Sequence, residues 1–490
     1  MLDIRIDHGR VVTMNPARDV IADGAVGIRD NEIVAVGPTD ELAAEHDADR
    51  IIDASGHAVL PGFVDAHAHV NDILIRGGLG TDRALHDWLF NVNKPAAAVM
   101  TPDDHAIAAA LYCRESLQSG ITTFVDNAAG GLPGMLLDRE TIEARLDVYR
   151  QSGTRTVYAQ EFVDDSFSDD RFRQFLINQQ RKHTDDGDID PNPGAEPTDT
   201  EDAIEYIESL IEEYHGSADG RQSVWPAPLY PWAMSPEGLQ GAYELAETYD
   251  VMTTTHASEV TQQERFQVSS IEYLNNAEYL GERTLLGHCV HVDERDIRLL
   301  AGTDTRVAHN VLTNHALGSG IAPVPTMLNY GLTVGIGTDN ASASDTVNMV
   351  NDLRFAAHAH KANRQDAGAM TAEKVLEMAT IDGARAIGRS GELGSLEAGK
   401  LADVVLLDLE HTHLTPAPNV VSAIVYQAQG FEVNTVICDG QFVVEDRQVP
   451  GIDDVYPDLL ERAQASADGV IERAGLEELA ARPWTSISLE

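Results

Sequence analysis

Eight short apolar runs alternate with helical patterns through the middle of this 490-residue chain, and that rhythm narrows the fold more than any other feature. The runs lie at residues 58–65, 121–125, 154–159, 222–226, 251–255, 284–287, 305–308 and 332–337, with helical stretches such as 104–111 between them. Alternation of this kind builds a parallel sheet with helices packed outside it. Eight such units across roughly 330 residues fit a closed (β/α)8 barrel of the α/β class better than an open sheet. A doubly wound sheet would carry a glycine-rich dinucleotide turn after its first strand, and the sequence has none there.

Both ends of the chain have a different rhythm. Strand-like runs separated by Gly, Asn and Asp turns occur at 4–6, 10–14, 25–28 and 32–36, and again at 403–407, 433–437 and 441–444. The expectation is a small β-sandwich domain assembled from residues 1–57 and 392–450. It would accompany a TIM-like barrel over 58–391, with a helical extension over 451–490. Residues 183–202 are rich in Asp, Pro, Gly and Thr and read as a solvated loop.

Charge excludes some partners. Asp plus Glu number 80 against 34 Lys plus Arg, giving a net charge of −46 spread along the whole chain. Such a field repels nucleic acid and anionic membrane. It also destabilises the compact state unless salt screens it, and the Debye length falls to about 3 Å at 1 M salt. With only five lysines, the composition reads as a cytoplasmic protein adapted to high salt. Cys113, Cys289 and Cys438 are too scattered for a disulfide framework or a metal knuckle. Asp3, Asp7 and His8 stand where a signal peptide would be apolar, and no run is long and apolar enough to span a membrane.

The chemistry-bearing residues fall at the ends of the expected barrel strands. His67 and His69 are two positions apart in PGFVDAHAH at 61–69, so on an extended backbone both point the same way. A pair of satisfied core histidines would show the same spacing. His256 follows the fifth run, His288 ends the sixth, and Asp339 follows the eighth. In a barrel all of these face one mouth. His67, His69, His256 and Asp339 then form a mixed N/O ligand set for one divalent ion, zinc first, with iron, manganese and cobalt also fitting. Glu259, three residues beyond His256, is placed to shuttle protons. His288 is placed to polarise the group under attack, and Asp339 can also accept a proton from water.

These motifs resemble the amidohydrolase superfamily, in the branch of methylthioadenosine/S-adenosylhomocysteine deaminases, guanine deaminases and triazine hydrolases. The resemblance rests on PGFVDAHAH at 61–69, HASE at 256–259, GHCVHV at 287–292 and HNVLTNHALGSGIAPVPTML at 309–328. GTDNASAS at 337–344, MATIDGARAIG at 378–388 and GSLEAGKLADVVLLD at 394–408 extend it over nearly the whole chain. It implies a mononuclear metal hydrolase, a homodimer or larger, with His67, His69, His256 and Asp339 on the metal. It also implies Glu259 as shuttle and His288 as the polarising residue. The implied reaction is hydrolytic deamination of an aromatic N-heterocycle, in which hydroxide on the metal attacks the amino-bearing carbon. The nucleoside deaminases of the branch follow Trp-Leu with Pro-x-Glu, whose glutamate holds the ribose hydroxyls. Here Trp88-Leu89 is followed by Lys94-Pro95-Ala96-Ala97-Ala98, and no glutamate is present. Asn340 resembles the chlorotriazine hydrolases at its position, which keeps loss of a non-nitrogen group as an alternative. A barrel retained only for binding is another. Arg76, Trp88, Ser319 and Asn340 are the expected substrate contacts.

Overall fold

The run expected as the first barrel strand breaks in two at Gly62. The computed structural model describes residues 1–130, 136–164, 198–261 and 268–481. The chain opens with β1 (Leu2–Val12), β2 (Val20–Arg29), β3 (Glu32–Pro38), β4 (Ala48–Asp53) and β5 (His57–Pro61), all in one accessory sheet. The barrel starts only at β6 (Phe63–His69). A Cβ at Gly62 would lie 2.1 Å from Thr122 Oγ1, so only glycine lets the chain pass between the two sheets here. An unbroken strand over 58–65 is therefore corrected to two strands in different sheets. β4, a mostly exposed strand, carries no apolar run that sequence could flag.

β7 (Ile121–Ala128), β8 (Arg155–Phe162) and β9 (Gln222–Pro228) continue in parallel from β6. β10 (Thr253–Ala257), β11 (Thr284–His288), β12 (Arg306–His309) and β13 (Val334–Ile336) form the second parallel arc. β9 adjoins β10 and β13 adjoins β6, which closes a (β/α)8-like barrel. β7 and β8 are buried at every position, as expected of strands covered on both faces. A two-residue strand, β14 (Asp339–Asn340), pairs with Ala68 and His69 of β6. β15 (Val404–Asp408), β16 (Val433–Cys438) and β17 (Gln441–Val444) return to the accessory sheet, where β15 pairs antiparallel with β5. Both termini thus build that sheet, as the strand runs at either end imply.

The helix Pro102–Gln118 packs outside β7. It is opened by a capping box in which Thr101 and Asp104 satisfy each other's backbone N–H. The helix Leu459–Ala474 lies against it, so the tail packs on the barrel. Residues 183–197 of the expected loop lie outside the described residues. The end of that segment is helical, because the Asp199 side chain accepts from Glu201 N at 2.9 Å and caps the helix Thr200–Tyr214.

Candidate active site

Asp65 ties the two ends of the barrel together behind the site. Its buried carboxyl accepts from Thr338 N at 2.9 Å, from Thr338 Oγ1 at 2.5 Å and from Tyr112 OH at 3.0 Å. That anchors the residue before Asp339 to the strand carrying His67 and His69. Gly337 lets the chain pass directly behind His67, since a Cβ there would stand 2.8 Å from the His67 Cβ. Asp339 and His288 both have left-handed backbones, with φ of 61° and 72°. Such conformations in non-glycine residues cost about 1–3 kcal/mol each and cluster where a side chain must be aimed against local preference.

The structure brings all the expected ligands together. His67 Nε2 and His69 Nε2 each lie 3.6 Å from Asp339 Oδ1. His69 Nε2 lies 3.2 Å from His256 Nε2. The His69 Nδ1 proton is donated to the Asn127 carbonyl at 2.8 Å, and that of His256 to the Leu229 carbonyl at 2.9 Å. With both protons committed there, the two Nε2 lone pairs face each other and neither can donate. That contact is repulsive until a cation accepts both pairs. His67 Nε2, His288 Nε2 and Asp339 Oδ2 are buried with no hydrogen-bond partner. One donor atom each from His67, His69 and His256, and one each from His67, His288 and Asp339, fall within 4.8 Å of one another. Orphaned buried donors of this kind fit a divalent ion, and the set is a single divalent-metal site.

Electrostatics point the same way. Burial holds His67 and His256 well below the usual imidazole range and lowers His69 to about 3 and His288 to about 4, so all four stay neutral. Burial, with Glu259 and other carboxyls nearby, pushes Asp339 well above the usual carboxylate range. A bound cation is what would let that carboxylate remain ionised. Burial raises Glu259 to about 8, with the Ser319 hydroxyl acting in the opposite direction. Glu259 Oε2 lies 3.7 Å from His288 Nε2, and the Asn314 amide oxygen lies 3.0 Å from the other ring nitrogen, His288 Nδ1.

His69, His256, Glu259 and His288 line one cavity. Trp88 and Asn340 line it, and Asn340 also donates to Asp339 Oδ1 at 2.9 Å. Ser319 sits beside Glu259 without lining the cavity. Arg76 is elsewhere: its guanidinium pairs with Glu115 at 2.6 Å on the helix Pro102–Gln118 and is not part of the cavity wall. The carboxylate satisfies the arginine and turns it away from the mouth. Tyr230, Lys94, Glu161 and Asp72 line the cavity and were not flagged by sequence. Tyr230 stacks on Trp232 and tilts over His256, with ring centroids 5.1 and 4.9 Å apart. Glu161 had the same signal as the metal ligands, a polar residue at the C-terminal end of a barrel strand.

Residues 58–443 match the model of the amidohydrolase family, and residues 24–48 match that of an imidazolonepropionase-like composite domain of bacteria. An S-triazine hydrolase from Gordonia rubripertincta is 33% identical over 99% of this chain and 100% of its own length. A 5-methylthioadenosine/S-adenosylhomocysteine deaminase from Syntrophobacter fumaroxidans is 34% identical over 91% of this chain and 94% of its own. Among solved structures, an adenosine deaminase from Xanthomonas campestris with bound zinc superposes with a TM-score of 0.84. It is 25% identical, covering 96% of this chain and 99% of the other.

Proposed function

The chain belongs to the amidohydrolase family and is a metal-dependent hydrolase, and from that premise we propose that it deaminates an aromatic N-heterocycle. The observation that carries the proposal is the Glu259 carboxyl, buried in the cavity wall 3.7 Å from His288 Nε2 and beside the metal-binding set. His67, His69, His256 and Asp339 would hold the ion, with zinc the first candidate. A divalent ion held there supplies Lewis-acid activation of water.

The side chains do the rest. Asp339 accepts a hydrogen bond from the attacking water and orients it. Glu259, raised by burial, holds a proton near neutral pH and delivers it to a ring nitrogen as the amino-bearing carbon is attacked. The carboxylate this leaves at Glu259 takes one proton of the added water and passes it to the amino group, which leaves as ammonia, and the remaining hydroxyl proton returns to Glu259 as the ring carbonyl forms. His288, held neutral with its Nδ1 proton on the Asn314 oxygen, accepts the O–H of the attacking oxygen at Nε2 and holds it in place. Trp88 and Tyr230 supply flat apolar walls for an aromatic substrate. A second reading, loss of a group other than ammonia from a triazine, draws on Asn340 in the cavity and on the full-length similarity to a triazine hydrolase.

The test is ammonia release from purine bases, their nucleosides and aminotriazines by zinc-loaded enzyme, at about 0.1 M and about 1 M salt. Ammonia should appear with at least one aminated ring. Turnover should rise with salt, because screening relieves the repulsion of a chain with net charge −46. Release of chloride from a chlorotriazine with no ammonia from any ring would select the second reading. Turnover that falls with salt would set salt adaptation aside.

A further inference from the structure

Lys94 opens the short helix Lys94–Ala97, is 8% exposed and lines the cavity. Among the described residues no carboxylate oxygen lies within 4.0 Å of its nitrogen, and no acceptor is within hydrogen-bond distance. Glu161 and Asp72 act on it only through space. Asp72 is already occupied, accepting from Asn71 Nδ2 at 2.9 Å and from Asn93 Nδ2 at 2.8 Å. Glu161 is not, for its Oε1 is buried without a hydrogen-bond partner, 3.9 Å from His69 Nδ1 and 3.8 Å from His256 Nδ1. Those two ring nitrogens give their protons to backbone carbonyls. At this end of the cavity the Lys94 ammonium is left as a donor and Glu161 Oε1 as an acceptor. An ammonium at the cavity wall with no protein acceptor suits a ligand that supplies one. Ala97, three residues on along the same helix face, also lines the cavity and offers only a methyl group.

We propose that Lys94 and Glu161 select the substrate by its lactam edge: a ring carbonyl oxygen accepts from Lys94 and the adjacent ring N–H donates to Glu161. The favoured substrate is an amino-heterocycle bearing an oxo group, in place of a ribosyl compound. This rests on the reading that the chain deaminates N-heterocycles. Paired probes for the zinc-loaded enzyme are guanine against 2,6-diaminopurine and ammeline against melamine, with adenosine as the ribosyl control. Cyanuric acid, which has lactam edges and no amino group to lose, reports binding alone.

Wild-type enzyme should favour the oxo member of a pair by about tenfold or more in kcat/KM, the scale of one buried polar group left unpaired. Lys94→Met should erase that preference, chiefly through KM, and weaken inhibition or binding by cyanuric acid by about tenfold or more, with zinc content and Tm retained. Lys94→Arg, which keeps the donor, should retain part of the preference and certifies the fold if the methionine variant does not express. Ammonia release with no preference for the oxo members, or a preference that survives Lys94→Met, overturns the lactam proposal and leaves deamination standing. So does adenosine as the best substrate. No ammonia from any probe, with cyanuric acid binding that depends on Lys94, overturns deamination and leaves the lactam site. Neither ammonia nor cyanuric acid binding overturns both.

Discussion

Replacing Glu259 by Gln lowers kcat by about three orders of magnitude while the enzyme keeps one divalent ion per chain. The amide matches the carboxyl in shape and fills the same buried place beside His288. It cannot take a proton from water or give one to a ring nitrogen, and a positioned general acid–base typically contributes about 10²–10⁴ in rate. KM should change little, because the group acts on the transition state and not on uniform binding. The check is steady-state kinetics alongside metal analysis of the same preparation. Turnover within a few-fold of wild type would remove Glu259 from proton transfer. Loss of the ion together with activity would instead make Glu259 a ligand.

Asp339→Asn lowers zinc affinity by about a hundredfold or more, and turnover at limiting zinc falls with it. Even partners outside the coordination shell are worth about 10–100-fold in metal affinity, so an anionic ligand should be worth more. Asp339 is the carboxylate in reach of both His67 Nε2 and His69 Nε2, and without it three neutral imidazoles face the ion alone. Burial makes its contribution larger, since water cannot screen the attraction between carboxylate and cation. Chelator competition measures the affinity. An unchanged constant would mean that Asp339 stands beside the ion without binding it.

The convergence of His67, His69, His256, His288 and Asp339 was legible because strand geometry projects directly from sequence. His67 and His69 share a face by the two-residue period, and His256, His288 and Asp339 each fall at the end of an apolar run. What sequence does not carry is where loops and short helices fold back. Lys94 lies beyond Trp88 in a stretch of short helical turns, with nothing local to show that it lines the same cavity as Glu161, 67 residues later. Arg76, expected as a substrate contact, pairs with Glu115, a partner 39 residues on that no local pattern reveals. The break at Gly62 was hidden because 58–64 carries no polar or charged side chain, and such a run does not reveal that it changes sheets. Asp65 read as part of the histidine motif, while its actual work, holding Thr338 and so Asp339, depends on a contact across 273 residues.

Anomalous diffraction at the zinc edge, from crystals of zinc-loaded protein, measures directly whether four side chains from distant parts of the chain share one ion. One peak per chain is expected, about 2.0–2.2 Å from an imidazole nitrogen of His67, His69 and His256 and from an oxygen of Asp339. Two peaks in the cavity, or a single peak out of bonding range of Asp339, would contradict it.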